Sequence, residues 1–195
     1  MKNFTVLLDN GHGADTPGKC SPDGLHREWE WCRRMTVAIE RELEARGTRC
    51  CRIVPEDADV PLRERSRRAN AIAATRRSLL VSIHNNASGD GRQWRAAHGW
   101  SCYVAPRASP QSRRMAQFLT AEAVSRGLTG NRRTPPEGYW TADFAICRDT
   151  VCPAVLTENM FQDNAADVSL LASPEGFDAI VALHVAAILK FCKES

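Results

Sequence analysis

Polar residues of the kinds that hold metals and carry protons close three apolar runs of this 195-residue chain. Phe4 to Leu8 ends in Asp9-Asn10-Gly11-His12-Gly13, Leu79 to Ile83 ends in His84-Asn85-Asn86, and Ala154 to Thr157 ends in Glu158-Asn159. A further carboxylate, Glu28, opens an amphipathic stretch after the first run. Two neutral imidazoles and one carboxylate, with a fourth position left open, make the ligand set of a catalytic rather than a structural zinc site. His12, Glu28 and His84 supply that set. A second carboxylate beside such a site, Glu158, is suited to accept a proton from water while the metal polarises a carbonyl. Each assignment has a plainer alternative at this stage. Glu28 complements the dipole of its helix, a histidine on a core strand is commonly a satisfied structural residue, and Glu158 caps the next turn or pairs with an arginine such as Arg148.

Helix geometry separates Glu28 from Glu30. Leu43, Ile39, Met35 and Cys32 form an apolar stripe, and steps of three or four back along it reach Glu28. Glu30 lies about 200° further round the helix, facing solvent with Arg33 and Arg34 as surface partners. A carboxylate on the buried face is costly unless something compensates it, and a metal would do so. His26 and Cys32 are near enough in sequence to be rival ligands. His26 precedes the helix, however, and Cys32 sits a turn deeper on the buried stripe.

The elements that must position these residues alternate. Strands are expected at 4–9, 49–54, 79–83, 99–104, 144–148 and 154–157, and helices at 27–46, 62–77, 110–127 and 176–193. The strands are continuous apolar runs, which predicts an α/β fold: a mainly parallel twisted sheet flanked by helices on both faces. In such a sheet ligands bind beyond the carboxyl ends of the strands, where the polar residues stand. Polar loops at 85–98 and 128–140 interrupt the fold without dividing it, so residues 1–195 read as one domain.

Composition narrows the function classes. With 26 Lys+Arg against 23 Asp+Glu the net charge is +3, too balanced to imply a nucleic-acid partner. The dense segment holding Arg63, Arg65, Arg67, Arg68, Arg76 and Arg77 reads as a solvated helix face, because no groove-entering motif or interleaved aromatics accompany it. No run reaches the roughly 18 apolar residues of a membrane span, and none has the layout of a secretory signal, which predicts synthesis in the cytoplasm without a signal peptide. The eight cysteines show no C-x-x-C pair and read as mostly free, buried thiols. His184 falls on the stripe Phe177, Ile180, Val181, Ile188 and Phe191 and reads as a core histidine, whereas His98 carries no role. Trp94, Trp100, Tyr139 and Trp140 lie in or beside the loops that should rim the crevice.

Five motifs in order resemble those of the zinc-dependent N-acetylmuramoyl-L-alanine amidases of the amidase-3 type. They are D-x-G-H-G at Asp9 to Gly13, a helix-opening Glu at Glu28 ahead of Leu43-Glu-Ala-Arg-Gly47, R-x-x-x-A-N at Arg65 and Ala69-Asn70, S-I-H-x-N at Ser82 to Asn86, and P-A-V-L-x-E at Pro153 to Glu158, followed by Phe161, Asn164 and Asp167. The resemblance spans residues 4–190. It implies one zinc ion per chain on His12, Glu28 and His84, with Glu158 as catalytic acid/base. The implied reaction is hydrolysis of the amide between the lactyl group of N-acetylmuramic acid and L-alanine of the stem peptide.

Asn10 replaces the family's usual proline and Asn85 its usual small residue; neither is an implied ligand. On that substrate, Asn86 is expected to orient the peptide. Arg148 is expected to bind a stem-peptide carboxylate, unless it serves a structural ion pair. Glu158 follows His84 by only 74 positions, too few for the long autoinhibitory insertion of some relatives. The expectation is a monomer without a separate wall-binding domain, acting on peptidoglycan or muropeptides without an activator, in the manner of a phage-type endolysin released to the cell wall.

Overall fold

The computed structural model describes residues 4–194. In chain order the elements are β1 (Phe4–Asn10), α1 (Glu28–Ala45), β2 (Arg49–Arg52), α2 (Leu62–Ala73), β3 (Arg77–Asn86), β4 (Ser101–Val104), α3 (Pro110–Ser125), β5 (Trp140–Thr141), α4 (Ala145–Arg148), β6 (Ala154–Phe161), α5 (Ala165–Ala172) and α6 (Pro174–Glu194). The strands form one sheet in the order β2-β1-β3-β6-β4-β5. Neighbours are parallel except β4 against β6, so the expected mainly parallel α/β architecture holds.

Both faces of the central strands are apolar because both are covered. Val6, Leu8, Leu79, Val81, Ile83 and Val155 pack on one side against Trp31, Met35 and Ile39 of α1, Met115 and Leu119 of α3, and Ile180 and Ile188 of α6. Leu7, Leu80 and Leu156 pack on the other against Ala69 of α2 and Ile146 of α4. This second cover rests on fewer buried residues than the first. All eight cysteines are free thiols, four of them buried and four half-buried.

Three expectations are corrected. Within 144–148, where a strand is expected, Ala145–Arg148 form the short helix α4, with Ile146 and Cys147 turned inward; a run this short carries no periodicity that separates strand from helix. Residues 165–172 form a helix that apolar patterning alone does not show. The Asn164 side chain caps it by accepting from the Asp167 amide at 3.1 Å. The core strands are also longer than their apolar runs, β3 reaching Asn86 and β6 reaching Phe161, so His84 and Glu158 lie within paired backbone.

His184 is fully buried on α6, as expected of a core histidine. Its Nδ1 lies 2.8 Å from the Ile180 carbonyl, which can only accept, so Nδ1 carries the proton and Nε2 accepts from the Thr157 hydroxyl at 3.1 Å. Burial pulls its pKa down to about 4, against the pull of the Ile180 carbonyl. Between an unfolded value near 6.5 and that folded value, the unfolded chain binds more protons. Stability is therefore fully present above pH 6.5 and falls as pH drops toward 4, by up to about 3 kcal/mol. Urea unfolding of the wild type and His184→Gln across this window should show the extra acid slope in the wild type only; equal slopes would refute the assignment.

A His-Glu-His cluster beside a buried carboxylate

Parallel pairing of β1 with β3 sets Asp9 beside Ser82 and Asn10 beside Ile83, so the two polar strand ends finish together. Beyond β1 the chain turns at His12, whose φ of 59° lies in the left-handed region, a conformation that needs support in a non-glycine residue. The support is on its carbonyl, which accepts from Arg33 and from Arg65, both at 3.1 Å. Gly11 is required by close approach: a Cβ there would sit 2.5 Å from Nδ1 of His84.

The turn brings His12 Nε2 to 3.4 Å from Oε1 of Glu28, and His84 Nδ1 lies 3.2 Å from the same oxygen. One donor atom from each of the three residues falls within 4.8 Å of the others. Glu28 is 1 % exposed and is gripped from behind: the Asn85 amide donates to Oε1 at 3.0 Å and the Gln162 side chain to Oε2 at 3.1 Å. Burial works against its charge, but its contacts with His12 and His84 outweigh that and hold the carboxyl far below the usual range. For His84 the balance goes the same way, burial opposing the proton and Glu28 favouring it, so its pKa is raised.

Glu158 pairs with His84 in the β3–β6 register. Its Oε2 is buried and has no hydrogen-bond partner among the described residues. Burial pushes this carboxyl up to about 7, opposed by the charge of His84 and reinforced by that of Glu28. A bulge follows, with Met160 at φ 64°, and it returns the chain so that Gln162 reaches Glu28.

The structure thus brings His12, Glu28, His84 and Glu158 together. Glu28, not Glu30, is the inward residue. Two nitrogens and one oxygen, converging next to a buried oxygen without a partner, fit a divalent ion of the zinc class. Neither rival is part of this cluster. His26 is committed through Nε2 to the Asn85 side chain at 2.9 Å, and Cys32 is fully buried, its thiol pushed well above its ordinary value by burial.

Asn86 ends β3 half-buried, its side-chain oxygen capping the Ala87 amide at 2.9 Å. Arg148 does not join the group. It pairs with Asp143 at 3.0 Å and Asp149 at 2.7 Å and lines a cavity with Arg77, Ser78 and Pro153, where β3 and β6 begin. The site is at the other end of those strands, so the structural ion pair is what its position supports. Of the expected rim aromatics, Trp100 and Tyr139 are buried, while Trp94 and Trp140 keep exposed surface.

Sequence reasoning missed Asn85 and Gln162 as the clamp on Glu28, and placed Arg65 on a solvated face although it is buried. Among the described residues no helix is long and apolar enough to cross a membrane.

Comparison with known proteins gives a consistent picture. The family model described as N-acetylmuramoyl-L-alanine amidase matches residues 6–190. The chain is 29% identical over 195 residues to an endolysin of Bacillus phage SPP1, covering 97% of this chain and 68% of that protein. It is 28% identical over 181 residues to the N-acetylmuramoyl-L-alanine amidase CwlM of Bacillus licheniformis, covering 92% and 65%. The chain therefore spans about two thirds of the length of these curated relatives. An N-acetylmuramoyl-L-alanine amidase structure from Clostridium difficile 630 superposes with a TM-score of 0.86 at 21% identity, covering all of both chains. The CwlV catalytic domain from Bacillus (Paenibacillus) polymyxa superposes at 0.83 and 22%, covering 98% and 99%.

Proposed function

Because the chain belongs to the N-acetylmuramoyl-L-alanine amidase family, we propose that it is a zinc-dependent hydrolase of the amide between the lactyl group of N-acetylmuramic acid and L-alanine of the stem peptide. The observation that carries this reading is the convergence of His12, Glu28 and His84 beside the unpartnered Oε2 of Glu158. His12, Glu28 and His84 hold one zinc ion per chain. Bound there, zinc supplies Lewis-acid polarisation of the scissile carbonyl and of water.

The remaining steps belong to side chains of this protein. Glu158 takes a proton from the attacking water and returns one to the departing alanine nitrogen, a role that suits a carboxyl balanced near neutrality. Asn85 and Gln162 keep the Glu28 carboxylate aimed at the two imidazoles, and such supporting contacts hold a ligand's orientation. Asn86, at the end of the strand that carries His84, orients the substrate. The protein works as a monomer on peptidoglycan or its fragments, and likeness to the phage protein supports an endolysin-type role.

Digestion of purified sacculi tests the reading. New lactyl carboxylates and new N-terminal alanine are expected in equal amounts, their release should stop after EDTA treatment, and added zinc should restore it. Cleavage within the stem, or release that survives chelation, would overturn the substrate or the metal assignment.

A further inference from the structure

One arginine beside the site is held without a carboxylate. Arg132, on the loop between α3 and β5, lies with its guanidinium carbon 4.8 Å from the ring centroid of Trp140 and 5.7 Å from that of Phe161. Its Nη1 donates to the Tyr103 hydroxyl at 3.0 Å. No ion pair reaches it among the described residues. Three other partly buried arginines differ: Arg52 meets Glu40, Arg68 meets Glu56 and Glu64, and Arg126 meets Glu122. Arg113 also lacks a carboxylate, but two of its guanidinium nitrogens are spent on the Ala108 and Pro106 carbonyls and one on the Tyr139 hydroxyl. A guanidinium stacked on aromatic rings is pre-oriented and partly desolvated, and its unused N–H groups form the planar fork that matches a carboxylate.

Its place relative to the reacting centre follows from strand register. Ser101 of β4 lies opposite Glu158, and Tyr103 is two residues further along the same face of β4. Trp140 pairs with Tyr103 on the outer side. Two strand residues are about 7 Å, so Tyr103 stands two residues along and one strand to the side of Glu158, with Trp140 one strand further out. The positive charge of Arg132 also favours the ionised form of the Glu158 carboxyl.

Resting on the amidase reading, we propose that Arg132 binds a carboxylate on the stem-peptide residue that follows L-alanine, and so makes the enzyme prefer stems in which that carboxyl is free over stems in which it is amidated. Trp140 and Tyr103 act as positioning residues that hold the fork open toward the crevice.

The test uses two soluble muropeptides that differ only in this group, a free carboxylate or its carboxamide, with the zinc-loaded wild type, Arg132→Gln and Arg132→Lys. The wild type should prefer the acid by about 10- to 100-fold in kcat/KM, the range of one charge-assisted hydrogen-bond pair. The difference should sit in KM, because a contact remote from the scissile bond holds ground state and transition state alike. Arg132→Gln should bring the acid down to the level of the amide and leave the amide within about twofold, whereas Arg132→Lys should keep part of the preference. Equal use of both substrates by the wild type, or an unchanged ratio in Arg132→Gln, overturns the proposal and leaves the amidase reading standing. Failure of the wild type to cut either substrate overturns both.

Discussion

Replacing Arg65 with methionine is expected to cost about 3–5 kcal/mol of folding stability, the range for removing one partner of a buried ion pair. Arg65 is 2 % exposed, although it sits in the most basic stretch of the chain. It pairs with Asp9 at 2.8 Å, where both side chains are buried, and with Asp59 at 2.8 Å. Its remaining donors go to the carbonyls of Val60, Asn10 and His12. Methionine fills similar volume but leaves the Asp9 carboxylate inside the protein with the Ser82 hydroxyl as its remaining side-chain partner.

The loss should therefore be coupled to Asp9. In the double variant Arg65→Met with Asp9→Asn no uncompensated charge is left inside, so its total cost should fall well short of the sum of the single costs. Urea unfolding of the four proteins in EDTA measures this cycle. Additive costs, or a single loss below about 1 kcal/mol, would show that the pair does not hold the turn. Zinc affinity should weaken in Arg65→Met as well, since the same guanidinium supports the left-handed backbone of His12.

Arg65 also shows which parts of the site could be read from sequence. The four central residues were legible because each has a type and a place that burial alone does not favour: charged or imidazole side chains at the open ends of apolar strands, and a carboxylate on the buried stripe of a helix. The supporting residues had no such contrast. Arg65 and Arg33 look like neighbours of other surface arginines, and only tertiary structure shows that the His12 carbonyl draws both inward. Asn85 acts through its backbone amide, which no side-chain pattern encodes.

For the fold, the parallel sheet followed from continuous apolar runs, while α4 and α5 were hidden by their shortness. α5 did carry one readable sign. Asn164 followed three residues later by Asp167 is a helix-start pattern of capping-box type, and here Asp167 also accepts from the Phe161 and Gly99 amides at 2.8 Å.

The second large effect concerns chemistry alone. Glu158→Gln keeps the shape of the side chain and removes its capacity to accept a proton, so kcat should fall by about 10²- to 10⁴-fold. Two further results separate a proton-transfer role from a structural one. On the proposed ligand set of His12, Glu28 and His84, zinc content should remain near one per chain. The urea midpoint should not drop, because Oε2 of Glu158 makes no hydrogen bond whose loss could destabilise the fold. A ligand mutation such as His84→Ala should instead lose metal and activity together. If Glu158→Gln kept full activity, the proton would have to travel through another group. If it lost zinc, Glu158 would belong to the ligand set, and the unpartnered oxygen would be explained by the metal it faces and not by the water it activates.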